Sequence, residues 1–443
     1  MIAKLRILYS YLLAKYFHRF TSRAVLESWQ EKQIQKQLGF ILRKSKFYHQ
    51  CFGDLDRINW KTFPMMDKKI LMDHFDEINT AHIKKSEALS CTLNAERERD
   101  FSPTINGITV GLSSGTSGSQ GIFLVSNAEQ ERWVGVILAR ILKHSIFRRQ
   151  RIALFLRANS NLYENLNKSR LEFKYFDLMK DVEEHFHLLE AFSPDVIVAP
   201  PSTLKLLVNL EISPQKVVSC AEVLEDEDKK IIKDGFSQPV HQIYQAMEGF
   251  LGATCEEGTL HLNEDYFAIQ KEYLDEHRFV PIITDFSKRT LPLFRYRLND
   301  ILVEKRDPCP CGSILQAVHR IEGRCDDTFY FRCNESGHIS RVFPDFIRRS
   351  VISAVNDELL NYRVVQNDFD NLNLYLEVAD EAQFTKVSEN IERSLNLYCQ
   401  TKGVQNPKYH FKKWRQVAGP TKLRRIEQGM SKGLLAQIQK EER

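Results

Sequence analysis

The stretch from Ile108 to Val125 reads as two β-like runs around a loop, Ser113-Ser114-Gly115-Thr116-Ser117-Gly118-Ser119-Gln120-Gly121. A turn this dense in glycine lets backbone N–H groups converge on an anion, and the hydroxyls add further donors. The flanking strands give the loop a fixed base that a linker lacks. It is not a Walker loop, because no Gly-Lys-Ser/Thr closes it. On composition alone a plain flexible loop stays open as the alternative.

The rest of the chain constrains what that loop is built into. After it a helix opens at Asn127, with Gln130 completing a capping box and Trp133, Ile137 and Ile141 as its buried stripe. Short apolar runs then alternate with helical stretches. Ile152–Leu156, Asp195–Ala199 and Val217–Cys220 read as strands, and Glu183–Phe192 and Glu225–Phe236 as helices. That alternation predicts an α/β domain with largely parallel strands. Before it, residues 1–50 are helical, with Trp29, Ile34, Leu38 and Ile41 at helical spacing, and Asp67 caps a helix beginning at Lys68. The pattern changes near Asp326. Helices at Phe346–Val355 and Ala382–Tyr398 flank a strand at Leu372–Val378, which predicts a small α+β unit. A chain of 443 residues is expected to divide, here into 1–324 and 325–443.

A net charge of +4 demands neither a nucleic-acid partner nor an acidic one. The first twenty residues mix Leu, Tyr and Ile with Lys4, Arg6, Lys15 and Arg19, an apolar run too short to span a bilayer. A helix docked on the protein's own core is the expectation, and a basic amphipathic helix on a membrane surface is the alternative. With no secretory signal and an odd nine cysteines, a disulfide framework is not expected and the chain reads as cytoplasmic. Cys255, His261, Cys309 and Cys311 supply three thiolates and one imidazole, a ligand set for structural zinc. The fifty residues between the pairs are not a zinc-finger spacing, so scattered buried cysteines remain the alternative. Cys51, Cys91, Cys220, Cys325, Cys333 and Cys399 read as ordinary thiols.

Several stretches in order resemble the acyl-adenylate-forming (ANL) superfamily. Leu112–Gly121 looks like its Ser/Thr/Gly-rich phosphate signature, and Ile243-Tyr244-Gln245-Ala246-Met247-Glu248 like its Tyr-Gly-x-Thr-Glu segment. Leu293–Asp300 resembles the Arg-Tyr-x-x-x-Asp segment, Ile321–Asp327 the Gly-Arg-x-Asp-Asp hinge, and Lys422–Ile426 the closing lysine segment. Within the superfamily the chain is most similar to phenylacetate–CoA ligases and the related deazaflavin-cofactor (coenzyme F) adenylyl synthetases, a branch that Phe63–Asp67 and Ser219–Leu224 also fit.

The resemblance implies a large multi-subdomain adenylate-forming N-terminal domain with a small mobile C-terminal lid. Ser113, Ser114, Gly115, Thr116, Ser117 and Gly118 would hold ATP phosphates, and Glu222, Tyr244 and Gln245 would meet the adenine. Asp300 would accept from both ribose hydroxyls and Arg324 would add ribose or phosphate contacts, chemistry that a carboxylate and a guanidinium supply. Glu248 is a hard oxygen ligand for magnesium, and Lys422 a point charge at the reacting centre. Some members of the branch also bind zinc at a pattern like Cys255, His261, Cys309 and Cys311.

The sequence departs from the pattern at three places. Ser119-Gln120 stands where a loop lysine is common, Met247 replaces a hydroxyl residue, and Gln245 a glycine. The implied reaction is adenylation of a small, aromatic carboxylic acid followed by thioester formation with coenzyme A. The alternatives are transfer of AMP to a cofactor, acyl transfer to a carrier protein or amine, and a non-catalytic zinc-stabilised nucleotide binder. Homodimers are common in the branch; no nucleic acid and no integral membrane contact are expected.

Overall fold

The computed structural model describes residues 2–52, 59–98, 100, 102–112, 121–156, 170–355, 358–414, 424–431, 433–435 and 438. Two compact units divide the chain. The first comprises Met1–Leu298 with Leu302–Ile321, and the second Asn299–Ile301 with Glu322–Arg443.

A mixed sheet dominates the first unit. Its parallel part runs Leu171–Asp177, Gln150–Leu156, Val196–Ala199, Lys216–Ser219, Val240–Ala246. Period-two side-chain alternation explains why these strands read as continuous apolar runs. Ile152, Leu154, Val196, Val198 and Val218 point to one face. Ala153, Phe155, Ile197, Ala199 and Val217 point to the other, where Leu189, Leu204 and Ile232 of the crossover helices cover them. Beyond Val240–Ala246 the sheet turns antiparallel through Gly249–Thr254 and Leu260–Leu262. The expected parallel arrangement is therefore confined to half of the sheet, because tight turns rather than crossover helices join the later strands.

Helical boundaries follow local chemistry. Asp67 caps the Lys68–Asp73 helix as expected, accepting from Ile70 N at 2.8 Å. The Asn127–Ile141 helix starts where the sequence places it, but its cap lies one residue earlier. Ser126 is extended, at φ −73° and ψ 158°, and forms the capping box with Glu129 rather than Gln130. Glu183–Phe192 is a 3₁₀ turn, Val182–His185, followed by an α-helix, Phe186–Phe192. Ile34, Leu38 and Ile41 of the Arg23–Lys44 helix are buried beside Leu71, Phe75 and Phe279.

The N-terminal helix, Ile2–Leu12, docks on the Asn127–Ile141 helix through Ile7, Ser10 and Tyr11. Gly135 makes that approach possible: a Cβ there would stand 2.4 Å from Ile7 O and 2.9 Å from Tyr11 N. Backbone cannot swing aside as a side chain can. Gly135→Ala is therefore expected to cost about 2 kcal/mol and to speed hydrogen exchange across residues 2–14, read by exchange mass spectrometry. Unchanged exchange there would contradict the close packing.

The second unit is α+β. Its sheet runs Lys408–Lys413, Asn371–Val378, Leu359–Gln366, Ile426–Gln428. The Pro344–Ile352 and Phe384–Lys402 helices pack on it through Ile347, Val351, Val387, Ile391 and Leu395.

Candidate active site

In an open α/β sheet, ligands settle outside the carboxyl ends of the parallel strands. Several of the expected site residues lie at that edge. Ser219 is in register with Gln242; Glu222 follows the end of its strand, while Gln245 is still in the sheet, paired with Phe250. Ala221 adopts φ 66°, turning the chain sharply there, and the Ser202 N–H lies 3.4 Å from Glu222 Oε2. Tyr244 is buried, at 5% exposure, in the first unit's main core. A register shift after Tyr244 leads into a tight turn in which Ala246 pairs with Gly249, placing Met247 and Glu248 at its tip.

The strands flanking the Ser/Gly loop pair antiparallel, with Leu112 opposite Ile122. Ser113–Gln120 lie outside the described residues, so Ser113, Ser114, Gly115, Thr116, Ser117 and Gly118 carry no structural statement. Gly121, at the loop's foot, is described. A Cβ there would fall 2.7 Å from Met247 Sδ and 2.9 Å from Lys68 Cε. The Met247–Glu248 turn and the start of the Lys68–Asp73 helix thus converge where the loop ends. Lys68 brings a cation-bearing chain to a loop whose own sequence has none, and no linear signal marked it.

A cavity of about 160 Å³ opens beside this turn, lined by Gln245–Phe250, Trp133 and Arg132 among others. The hydrogen bonds of its far wall had no sequence signature. Glu129 accepts from Arg289 N at 2.5 Å and Thr290 N at 2.8 Å, and Arg132 Nη1 donates to Ser287 O at 2.5 Å. Burial alone would raise the Glu129 carboxyl, but bonds from Thr290 and Ser126 outweigh it and hold it below the ordinary range. Burial wins at Asp285, whose carboxyl is raised despite its bonds from Ser287 and Lys288. The Trp133 indole Nε1 is buried without a hydrogen-bond partner among the described residues.

The second unit carries a separate group. Arg324 Nε stands 3.8 Å from Asp300 Oδ1, with both side chains part-exposed. Cys325 N donates to Asn299 O at 2.8 Å. Behind them Arg424 pairs with Asp327. Burial lifts the Asp327 carboxyl to about 6, against the pull of Arg424. Lys422 lies outside the described residues.

Cys255, His261, Cys309 and Cys311 come together with all four ligand atoms within 4.8 Å of one another. Cys255 Sγ is 3.7 Å from Cys309 Sγ, and Cys311 Sγ is 3.4 Å from His261 Nε2. A tetrahedral shell with Zn–S near 2.3 Å and Zn–N near 2.0 Å has edges of about 3.8 and 3.5 Å. His261 Nδ1 lies 3.0 Å from Leu315 O; donation to that carbonyl leaves Nε2 as the lone-pair nitrogen facing the thiols. Gly252 lets the His261 strand approach, since a Cβ there would meet His261 O at 2.7 Å. The described cysteines are free thiols.

No family model matches the chain. Protein CapK of Staphylococcus aureus is 26% identical over 206 residues, a match covering 46% of this chain and 44% of that protein. A 2-hydroxyisobutyryl-CoA ligase solved with 2-HIB-AMP superposes with a TM-score of 0.69 at 14% identity, over 96% of this chain and 94% of its own. An acyl acid amido synthetase solved with 2,4-DB gives 0.55 at 13% identity, over 95% and 96%. The fold is that of the adenylate-forming enzymes, as the motif order implied.

Proposed function

We propose that this chain activates a small carboxylic acid as its acyl-adenylate at the expense of ATP. The observation that carries the reading is the convergence of Gly121, Met247 and Lys68 beside a cavity that shares Met247 and Glu248 in its lining. The foot of the Ser/Gly loop and a cavity of about 160 Å³ therefore adjoin one turn.

In this reading the acid's carboxylate attacks the α-phosphorus and pyrophosphate leaves. Backbone N–H groups and hydroxyls of Ser113–Gly118 hold the β- and γ-phosphates, with Lys68 adding positive charge at the loop's foot. Glu248 would hold magnesium, which supplies charge neutralisation on the phosphates. Glu222, Tyr244 and Gln245 border the adenine, while Asp300 and Arg324 take the ribose. Lys422 offsets charge on the oxygens as the new bond forms. Residues 325–443 act as the moving lid that exchanges Lys422 for a face admitting the acceptor. Coenzyme A is the proposed acceptor and an aromatic acid the proposed substrate. An amine acceptor is the second reading, favoured by the likeness to an acyl acid amido synthetase. Structural zinc is proposed at Cys255, His261, Cys309 and Cys311, where a closed four-ligand set leaves no position for chemistry.

ATP–pyrophosphate exchange against a panel of aryl and aliphatic acids tests the reading. At least one acid is expected to support exchange. Asp300→Ala should lower it about 100-fold, the loss of two charge-assisted hydrogen bonds. Exchange at the wild-type rate in that variant would remove Asp300 from the nucleotide site.

A further inference from the structure

The N-terminal helix has two apolar faces, and only one is covered. Ile7 and Tyr11 face the Asn127–Ile141 helix. On the opposite side Ile2, Leu5 and Tyr9 follow at steps of three and four, one stripe of a helix. They are 65%, 58% and 65% exposed, and in the π-helical turn that follows, Leu13–Phe17, Tyr16 is 47% and Phe17 70% exposed. The loop that carries exposed Phe147 runs past this helix, with Ile146 N donating to Tyr11 Oη at 3.2 Å.

Charge on this surface is one-sided although the chain as a whole is nearly neutral. Residues 1–26 hold Lys4, Arg6, Lys15, Arg19 and Arg23 and no acid. The loop after the Asn127–Ile141 helix, residues 142–151, holds Lys143, Arg148, Arg149 and Arg151 and again no acid. Lys4, Arg19, Arg148 and Arg149 are exposed. The acids that approach from neighbouring elements are each engaged by cations: Glu131 with Arg6, Glu256 with Lys143 and Lys216, and Glu264 with Arg23.

We propose that this face docks on an anionic lipid surface, with Ile2, Leu5, Tyr9 and Phe147 in the headgroup–acyl boundary and the flanking cations on the phosphates. The helix lies along the interface. Among the described residues no helix is long and apolar enough to cross a membrane. A second copy fits less well, because a two-fold contact here would set Arg148 and Arg149 against their own copies. Single-stranded nucleic acid would stack on Tyr9 and Phe147 but leave Ile2 and Leu5 without a partner, and competition by poly(U) separates it from lipid.

The full chain is sedimented with vesicles of phosphatidylcholine alone and with about one-third phosphatidylglycerol. Binding is expected to the anionic vesicles, weakly to the neutral ones, and to fall sharply near 0.5 M salt. The double variants Leu5→Asp with Tyr9→Asp, and Arg148→Glu with Arg149→Glu, should each weaken it at least about tenfold. Their side chains are exposed, so thermal midpoints should match the wild type, which separates lost docking from lost folding. Equal binding to neutral vesicles, wild-type binding by both variants, or full competition by poly(U) would overturn the proposal. So would a concentration-dependent dimer that Leu5→Asp dissociates while lipid binding is absent. The outcome is independent of whether the chain adenylates an acid.

Discussion

Cys309→Ser is expected to release bound zinc and lower the thermal midpoint by about 4 °C. The ligands draw together two segments distant in sequence: the hairpin of the Gly249–Thr254 and Leu260–Leu262 strands, and the Cys309–Gly312 turn. Closure of such a loop by a metal removes conformational freedom from the unfolded chain. Structural zinc is worth about 10 kcal/mol or more where folding depends wholly on it; here a sheet already positions the ligands, so about 3 kcal/mol is expected from losing one. Elemental analysis of freshly purified wild type should find about one zinc per chain, and calorimetry should show the shift. Cys51→Ser, at an exposed thiol outside that four-ligand group, should change neither. A metal-free wild type with an unshifted Cys309→Ser midpoint would leave a cluster of buried thiols and nothing more. The effect on turnover should be indirect, because the metal set leaves no position open for substrate.

The features legible in the sequence were those whose chemistry is local or whose residue type is rare. Asp67 ahead of Lys68 announces a cap because the bond it makes spans three residues. Three cysteines and a histidine were read as one set across fifty residues because few other roles use that combination, and the structure brings their ligand atoms together. Local rules also failed locally. Ser126 with Glu129 and Asn127 with Gln130 both fit the capping pattern, and the choice rests on which residue is extended, a property of the preceding strand. Features held by distant partners were silent. Lys68 reaches Gly121 only after the fold brings their segments together. The N-terminal helix shows why periodicity alone could not choose between core and membrane: its apolar residues occupy two faces, so both readings describe part of the surface.

Glu129 is where the sequence was quietest and the structure most demanding. Its carboxylate accepts from Ser126 N and Ser126 Oγ at 2.8 and 2.7 Å, from Arg289 N and Thr290 N at 2.5 and 2.8 Å, and from Thr290 Oγ1 at 2.5 Å. One side chain therefore caps its own helix and holds a turn 160 residues away. That turn, with Arg132 on Ser287 O, forms a wall of the proposed acid cavity. Glu129→Ala would leave several part-buried donors unpaired, at a cost of about 3 kcal/mol, and lower the midpoint by roughly 4 °C. Glu129→Gln should recover little, since its amide presents donors to donors. The pH dependence has a definite sign. The folded-state carboxyl is depressed below its ordinary 4.5, so the unfolded chain binds the proton more readily. Stability from this group is thus present above about pH 4.5 and is lost as pH falls through the depressed folded value. Denaturant titrations of wild type and Glu129→Gln should show a gap that is constant near neutrality and closes in acid. A gap that widens on acidification would mean the group is protonated in the fold. For an acid that supports exchange, the same loosened wall should raise KM about tenfold while kcat changes less, because in the proposed reading the wall bounds the acid and touches no reacting atom.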